Sequence, residues 1–147
     1  MSALPSIALG CDHAGFRFKE LLRVSLTARG HRVADFGTFS AVRCDYPDFV
    51  RPAAQAVARG ECDLGIVLGG SGNGEAMVAN KVHGIRCAVC WNVQSAELCK
   101  QHNNANVISL GERMFPEAEL FPIVDAWLTS VYEGGRHQPR LDKVDAM

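Results

Sequence analysis

Apolar positions along the chain alternate between short runs of β character and longer stretches spaced for one face of a helix. Residues 6–10, Ser-Ile-Ala-Leu-Gly, read as a first strand. Over 16–29, Phe18, Leu21, Leu22 and Leu26 recur at the helical period. Gly30 then stands where a glycine commonly follows a helix. Residues 31–36 read as a second strand, and Pro47 suits the opening of a second helix. Along that helix Val50, Ala53, Ala54, Val57 and Ala58 share a face, and Gly60 ends it. Residues 63–68 are almost continuously apolar, the pattern of a strand covered on both faces. A glycine-rich turn at 69–74 leads into a helix predicted over 75–82. Then come a strand at 87–91, a helix at 93–102, a polar turn at 103–106 and a strand at 107–110. The last long helix is predicted over 116–131, with Leu120, Phe121, Val124, Trp127 and Leu128 as its apolar stripe.

Five strand–helix alternations predict an α/β chain: a three-layer α/β/α, Rossmann-like fold with a five-stranded parallel sheet and right-handed crossovers. At 147 residues the chain is one domain's worth, without repeat or linker, so a single domain is expected over 1–147. Its tail, 133–147, is set apart by Gly134-Gly135 and a basic segment. Net charge is −1, from 15 basic and 16 acidic residues, which argues against a nucleic-acid or membrane-surface binder. No apolar run approaches the ~20 residues of a membrane span, and the N-terminus lacks a signal-peptide pattern. A cytoplasmic protein is expected. Among six cysteines only Cys87 and Cys90 are closely spaced. Three apart on a strand, they point to opposite faces, which disfavours a metal clamp or a bridge. Reduced, structural thiols are expected.

In open α/β sheets ligands bind beyond the carboxyl ends of the strands. The unusual polar clusters fall there: 11–15 after the first strand, 69–75 after the third, 111–113 after the fifth. The turn Gly69-Gly-Ser-Gly-Asn-Gly74 reads either as a tight strand–helix turn capped by Ser71 or Asn73, or as a cradle of backbone N–H groups for an anion. It lacks the GK[ST] of a phosphate-binding P-loop. Glu75 is either a helix-start carboxylate or a general base facing that turn. Asp12 and His13 make a capped turn or hold a sugar hydroxyl. His102, beside Asn103, ends a helix or contributes to chemistry. Arg136 and Arg140, four apart, suit a phosphate or form a solvated tail. Pro139 between them belongs in the first turn of any helix that carries it.

Seven segments occur in order along residues 7–145: Gly10-Cys-Asp-His-Ala-Gly15, Asp45-Tyr-Pro-Asp48, Gly69-Gly-Ser-Gly-Asn-Gly-Glu75, Ala79-Asn-Lys-Val82, His102-Asn103, Gly111-Glu-Arg113 and Arg136-His-Gln-Pro-Arg140. Together they resemble the sugar-phosphate isomerases of the ribose-5-phosphate isomerase B type, a family that also holds galactose- and allose-6-phosphate isomerases. The resemblance implies a metal-independent aldose–ketose isomerase without a cofactor. Its substrate would be ribose 5-phosphate or ribulose 5-phosphate, interconverted through a cis-enediolate. An isomerase of another sugar phosphate, or a binding module without turnover, are the alternatives. Many members use a cysteine just before the glycine loop as base. That position is Gly69 here, and the sequence is similar to the branch whose base is the glutamate after Asn-Gly, Glu75.

By the same resemblance His102 is the acid of ring opening, and Asp12, His13 and Asn103 contact the sugar. Gly70, Ser71, Gly72, Asn73 and Gly74 would hold the enediolate oxygen. Arg113, Arg136 and Arg140 would hold the phosphate. A homodimer or dimer of dimers, with active sites shared between subunits, is implied.

Overall fold

The computed structural model describes residues 3–147; residues 1 and 2 of the N-terminal segment lie outside the described residues. The β-like runs become β1 (Ile7–Cys11), β2 (Val33–Asp35), β3 (Leu64–Gly69), β4 (Cys87–Cys90) and β5 (Val107–Gly111). They form one all-parallel sheet in the order β2-β1-β3-β5-β4. The order reverses between β1 and β3, the switch point at which this class of sheet opens a ligand crevice. Register aligns the carboxyl ends there: Cys11 pairs with Leu68, and Gly69 with Gly111.

The described residues form six α-helices: α1 (Phe16–Ala28), α2 (Pro47–Ala58), α3 (Asn73–Asn80), α4 (Val93–Asn103), α5 (Leu120–Thr129) and α6 (Gln138–Asp145). Strand alternation sends Ile7, Leu9, Ile66, Leu68, Ile108 and Leu110 to one face, where α1, α4 and α5 bring Phe18, Leu22, Leu26, Cys99, Ile123 and Trp127. Ala8, Val67 and Val107 face the other way, onto Val50, Ala53, Ala54 and Val57 of α2 and Ala79 of α3. Trp127 is fully buried and donates its indole N–H to the Ala105 carbonyl, tying α5 to the turn before β5. No described helix is long and apolar enough to cross a membrane.

Boundaries shift in ways that matter for the site. β3 and β5 run one residue further than expected, to Gly69 and Gly111, and α3 starts at Asn73. Glu75 therefore lies inside the first turn of α3. The helix expected over 116–131 begins as a 3-10 turn at Glu117–Glu119 and becomes α-helical only at Leu120–Thr129. Pro122 sits in its first turn, where a missing N–H costs no intrahelical bond. β2 contracts to three residues at the sheet edge. The tail is not merely a basic segment: a 3-10 turn at Gly135–His137 leads into α6, whose first turn holds Pro139. All six cysteines are free. Cys87 packs on the α2/α3 side and Cys90 on the α1/α4/α5 side, as strand geometry requires. Cys90 instead meets Cys99 of α4, sulfur to sulfur at 3.7 Å.

Ile108 sits mid-strand in β5 at 0% exposure, flanked by β3 and β4. Ile108→Ala is expected to cost about 2–5 kcal/mol, the usual range for truncation in a packed core. Urea unfolding checks this. A loss below about 1 kcal/mol would mean that the central strand is less tightly packed than described.

Candidate active site

The loops after β1, β3 and β5 meet over the β1/β3 switch point and, with Tyr46 at the start of α2, enclose a cleft of ≈ 450 Å³. Asp12, His13, Tyr46, Gly70, Ser71, Gly74, Glu75 and Arg113 line it. Asp12 leaves β1 and accepts the Ala14 and Gly15 N–H groups on Oδ1, at 2.9 and 3.2 Å, so it caps the 3-10 turn that follows. That leaves its second oxygen outside the cap. The Cys44 N–H donates to His13 Nδ1 at 3.2 Å. In the neutral ring this places the proton on Nε2.

The glycine turn is anchored to the sheet at three points. Glu112 and Arg113 donate their N–H groups to the Gly69 and Gly70 carbonyls at 2.8 and 3.1 Å. Ser109, fully buried in β5, donates its hydroxyl to the Gly72 carbonyl at 2.7 Å. Gly72 is the N-cap of α3 at φ +84°, a left-handed conformation that a side chain would strain. Neither Ser71 nor Asn73 caps α3; Ser71 Oγ accepts only the Asn73 N–H, at 3.3 Å. Gly72 and Asn73 shape the turn without lining the cleft.

Glu75 forms the cleft's buried acidic wall, with 4% of its surface exposed. Among the described residues, its Oε2 is buried without a hydrogen-bond partner. Burial pushes its carboxyl above the ordinary carboxylate range, and the charge of Asp12 adds to the rise; nearby backbone N–H groups oppose it. A Cβ built on Gly69 would lie 1.9 Å from Glu75 Oε1 and 2.3 Å from its Cδ. The carboxylate thus fills the space that any side chain at position 69 would need. The nearby Cys11 thiol is pushed up to about 12 by burial, which leaves it protonated and a poor nucleophile.

The remaining expected residues lie elsewhere. His102, in the last turn of α4, stacks on His137 with ring centroids 4.5 Å apart. Asn103 borders a separate groove beside α6, with Asn80, Arg86 and Asp145. Arg136 and Arg140 are exposed and make no ion pair within the described chain. The chain therefore brings together Asp12, His13, the glycine turn, Glu75 and Arg113, and holds His102, Asn103, Arg136 and Arg140 apart. Two contributors carried no assigned role in the sequence. Tyr46 stood in the Asp45-Tyr-Pro-Asp48 segment; its ring packs so closely on Gly74 that a Cβ there would lie 2.5 Å from its hydroxyl oxygen. Ser109 was signalled only as a lone polar residue inside an apolar strand.

The ribose/galactose isomerase family model matches residues 7–144. Ribose-5-phosphate isomerase B of Escherichia coli (strain K12) is 46% identical over 144 residues, covering 98% of this chain and 97% of that protein. The protein of the same name from Mycolicibacterium paratuberculosis is 47% identical over 138 residues, covering 92% and 87%. Among solved structures, ribose-5-phosphate isomerase B of Clostridium thermocellum superposes with a TM-score of 0.94 at 45% identity, covering 96% of this chain and 95% of that one. The Mycoplasma genitalium enzyme with bound ribulose-5-phosphate gives 0.93 at 37% identity, covering 99% and 97%.

The raised Glu75 pKa fixes a sign. Above the unfolded carboxylate's pKa of ~4.3 the native state holds the proton longer than the unfolded state, so stability falls as pH rises through the native pKa. Gln at this position does not ionise. The melting temperature of Glu75→Gln is therefore expected to gain on that of the wild type as pH is raised from about 4 to about 8. A difference that stays flat or runs the other way would contradict the buried, raised carboxyl.

Proposed function

The chain belongs to the ribose/galactose isomerase family and interconverts ribose 5-phosphate and ribulose 5-phosphate, and we propose that Glu75 is the base that moves the proton. In this mechanism Glu75 takes the proton from C2 of the opened aldose. Charge develops on the C1 oxygen of a cis-enediolate, and backbone N–H groups of Gly70, Ser71 and Gly74, the turn residues that line the cleft, hold it, as an oxyanion hole does. The same carboxyl returns the proton to C1 while the hydroxyl proton passes between the two oxygens, which leaves the ketose. No redox partner is needed.

The observation that carries this reading is the carboxylate itself. A buried, unpartnered oxygen facing a polar cleft is costly unless a function retains it. A base poised near working pH needs a raised pKa, which burial supplies. The space at Gly69 supports the same branch: Glu75 stands where a cysteine side chain from position 69 would reach. Asp12 and His13 are then the sugar contacts. Arg113, whose guanidinium rests against Gly70, meets a phosphate of ~−1.5 to −2 charge.

We infer further that a second copy of the chain completes each site, bringing its own His102, Asn103, Arg136 and Arg140 to this cleft. His102 then gives a proton to the ring oxygen on opening, and the two arginines complete the phosphate clamp. Both arginines are exposed and make no ion pair among the described residues, which leaves them free to reach a partner's cleft.

Glu75→Gln is expected to lower kcat by ~10²–10⁴ with little change in KM, the span of general acid–base catalysis. The assay is ribose 5-phosphate isomerisation in EDTA, where wild-type turnover should persist. A near-wild-type kcat in the variant would remove Glu75 from the base role. Glu75→Gln and His102→Gln, each nearly inactive alone, should recover about one quarter of wild-type activity when co-refolded in equal amounts. Half of the dimers are then mixed, and each mixed dimer holds one intact site. No recovery from verified mixed dimers would place both groups in the same protomer's site.

A further inference from the structure

Two imidazoles and a carboxylate converge where the end of α4 meets the turn into α6. His102 and His137 stack with their planes 18° apart. Glu133 lies across their edges: its Oε1 is 3.4 Å from His137 Nε2 and 3.9 Å from His102 Nε2. The three prospective ligand atoms all lie within 4.8 Å of one another. We propose that His102, Glu133 and His137 form a binding site for a divalent cation of the zinc type, and that its occupancy switches the isomerase off. The inhibitory half rests on the assignment of His102 as the acid of ring opening.

The donor set is one that zinc favours, two neutral imidazole nitrogens and one carboxylate oxygen. Zinc–ligand bonds of about 2.0–2.1 Å in a tetrahedron separate neighbouring ligand atoms by about 3.4 Å. The His137–Glu133 edge already has that length, and the His102–Glu133 edge is longer by about half an ångström. Stacked rings aim their lone pairs side by side, so sharing a cation requires the half-exposed His102 ring to turn out of the stack, while the surroundings hold the backbone that carries it. Arg86 donates to the Asn103 and Asn104 carbonyls, at 2.9 and 3.2 Å, and pairs with Asp145 of α6, which holds the end of α4. His137 is 6% exposed and so held by packing. Glu133 is exposed; its N–H bonds to the Gln101 carbonyl at 3.0 Å, and Gly134 and Gly135 follow it with φ of +65° and +56°. His102 keeps 38% of its side chain exposed, which gives a cation a way in. Three protein ligands leave the fourth position to water or to an oxygen of the sugar phosphate. A metal bond at Nε2 takes up the electron pair and fixes the ring, so His102 no longer serves the sugar ring oxygen.

The test uses EDTA-stripped full-length protein titrated with cobalt(II) chloride, then with zinc chloride. Cobalt is expected to bind once per protomer with the visible bands of a four-coordinate site and no thiolate charge-transfer band. Zinc should displace it. Glu133→Ala, a change at an exposed position outside the proposed catalytic set, should weaken cobalt binding by about tenfold or more. His137→Gln should do the same. Zinc that stops wild-type turnover should leave Glu133→Ala active at the same concentration, and EDTA should restore the wild type. Equal cobalt affinity in wild type and Glu133→Ala overturns the site, as does a thiolate band, which would move the cation to a cysteine. Zinc bound at these residues with turnover unchanged overturns the inhibitory role. A wild type without isomerase activity would defeat the functional reading, while the cobalt spectra would still decide the site.

Discussion

Burying a carboxylate with one oxygen left unpartnered sets the terms for everything around Glu75. An ionised group in such a place is penalised, and the penalty falls on the segment that carries it. The turn from Gly69 to Gly74 would relax toward solvent if it were free to do so. The sheet prevents this through the Ser109 hydroxyl on Gly72 and the N–H groups of Glu112 and Arg113 on Gly69 and Gly70. Three bonds from β5 and the residues just beyond it hold a loop that follows β3. The neighbouring order of those two strands is therefore a condition of the site, beyond its part in the fold.

The same anchoring spreads to β1 and α1. Glu112, whose N–H holds Gly69, accepts the Phe18 N–H of α1 on its side chain at 2.8 Å. Asp12 ties down the turn between β1 and α1. Loops after β1, β3 and β5 are thus bonded to one another and to a helix end. A cleft built this way is largely pre-organised: its loops are already held in place before substrate arrives. That is the condition under which an oxyanion hole lowers a barrier at no cost in reorganisation.

Much of this was legible in the sequence, for identifiable reasons. Strand–helix alternation gave the parallel sheet because β3 is apolar throughout, as only a strand covered on both faces can be. Cys87 and Cys90 separate across the sheet because side chains alternate with period two. The helix expected over 116–131 was too long because an apolar stripe does not register that Pro116 is extended and that a 3-10 turn comes first. α6 was missed as a helix because Gly134, Gly135 and Pro139 read as breakers, although a proline in the first turn is compatible with a helix. Local pattern also gave no sign of the space shared by Gly69 and Glu75. The two residues are six apart in sequence and meet only because α3 starts at Asn73 and turns the carboxylate back over β3.

The separation of the proposed base and the proposed acid within one chain has an electrostatic logic. Were His102 to rest beside Glu75 in the unliganded protomer, an imidazolium next to a carboxylate would favour the charged form of both and pull the Glu75 pKa down. The carboxyl would lose the upward shift that burial gives it. With His102 stacked on His137 at the far end of α4, Glu75 keeps Asp12 as a charged neighbour, which pushes the same way as burial. On the proposed mechanism the two groups meet only across a second protomer, with a sugar phosphate between them. The acid then acts on the ring oxygen and the base on C2, several bonds apart, so neither neutralises the other. A fold that places the proposed base at the sheet's switch point and the proposed acid on a peripheral helix end satisfies both requirements, provided that assembly brings the two together.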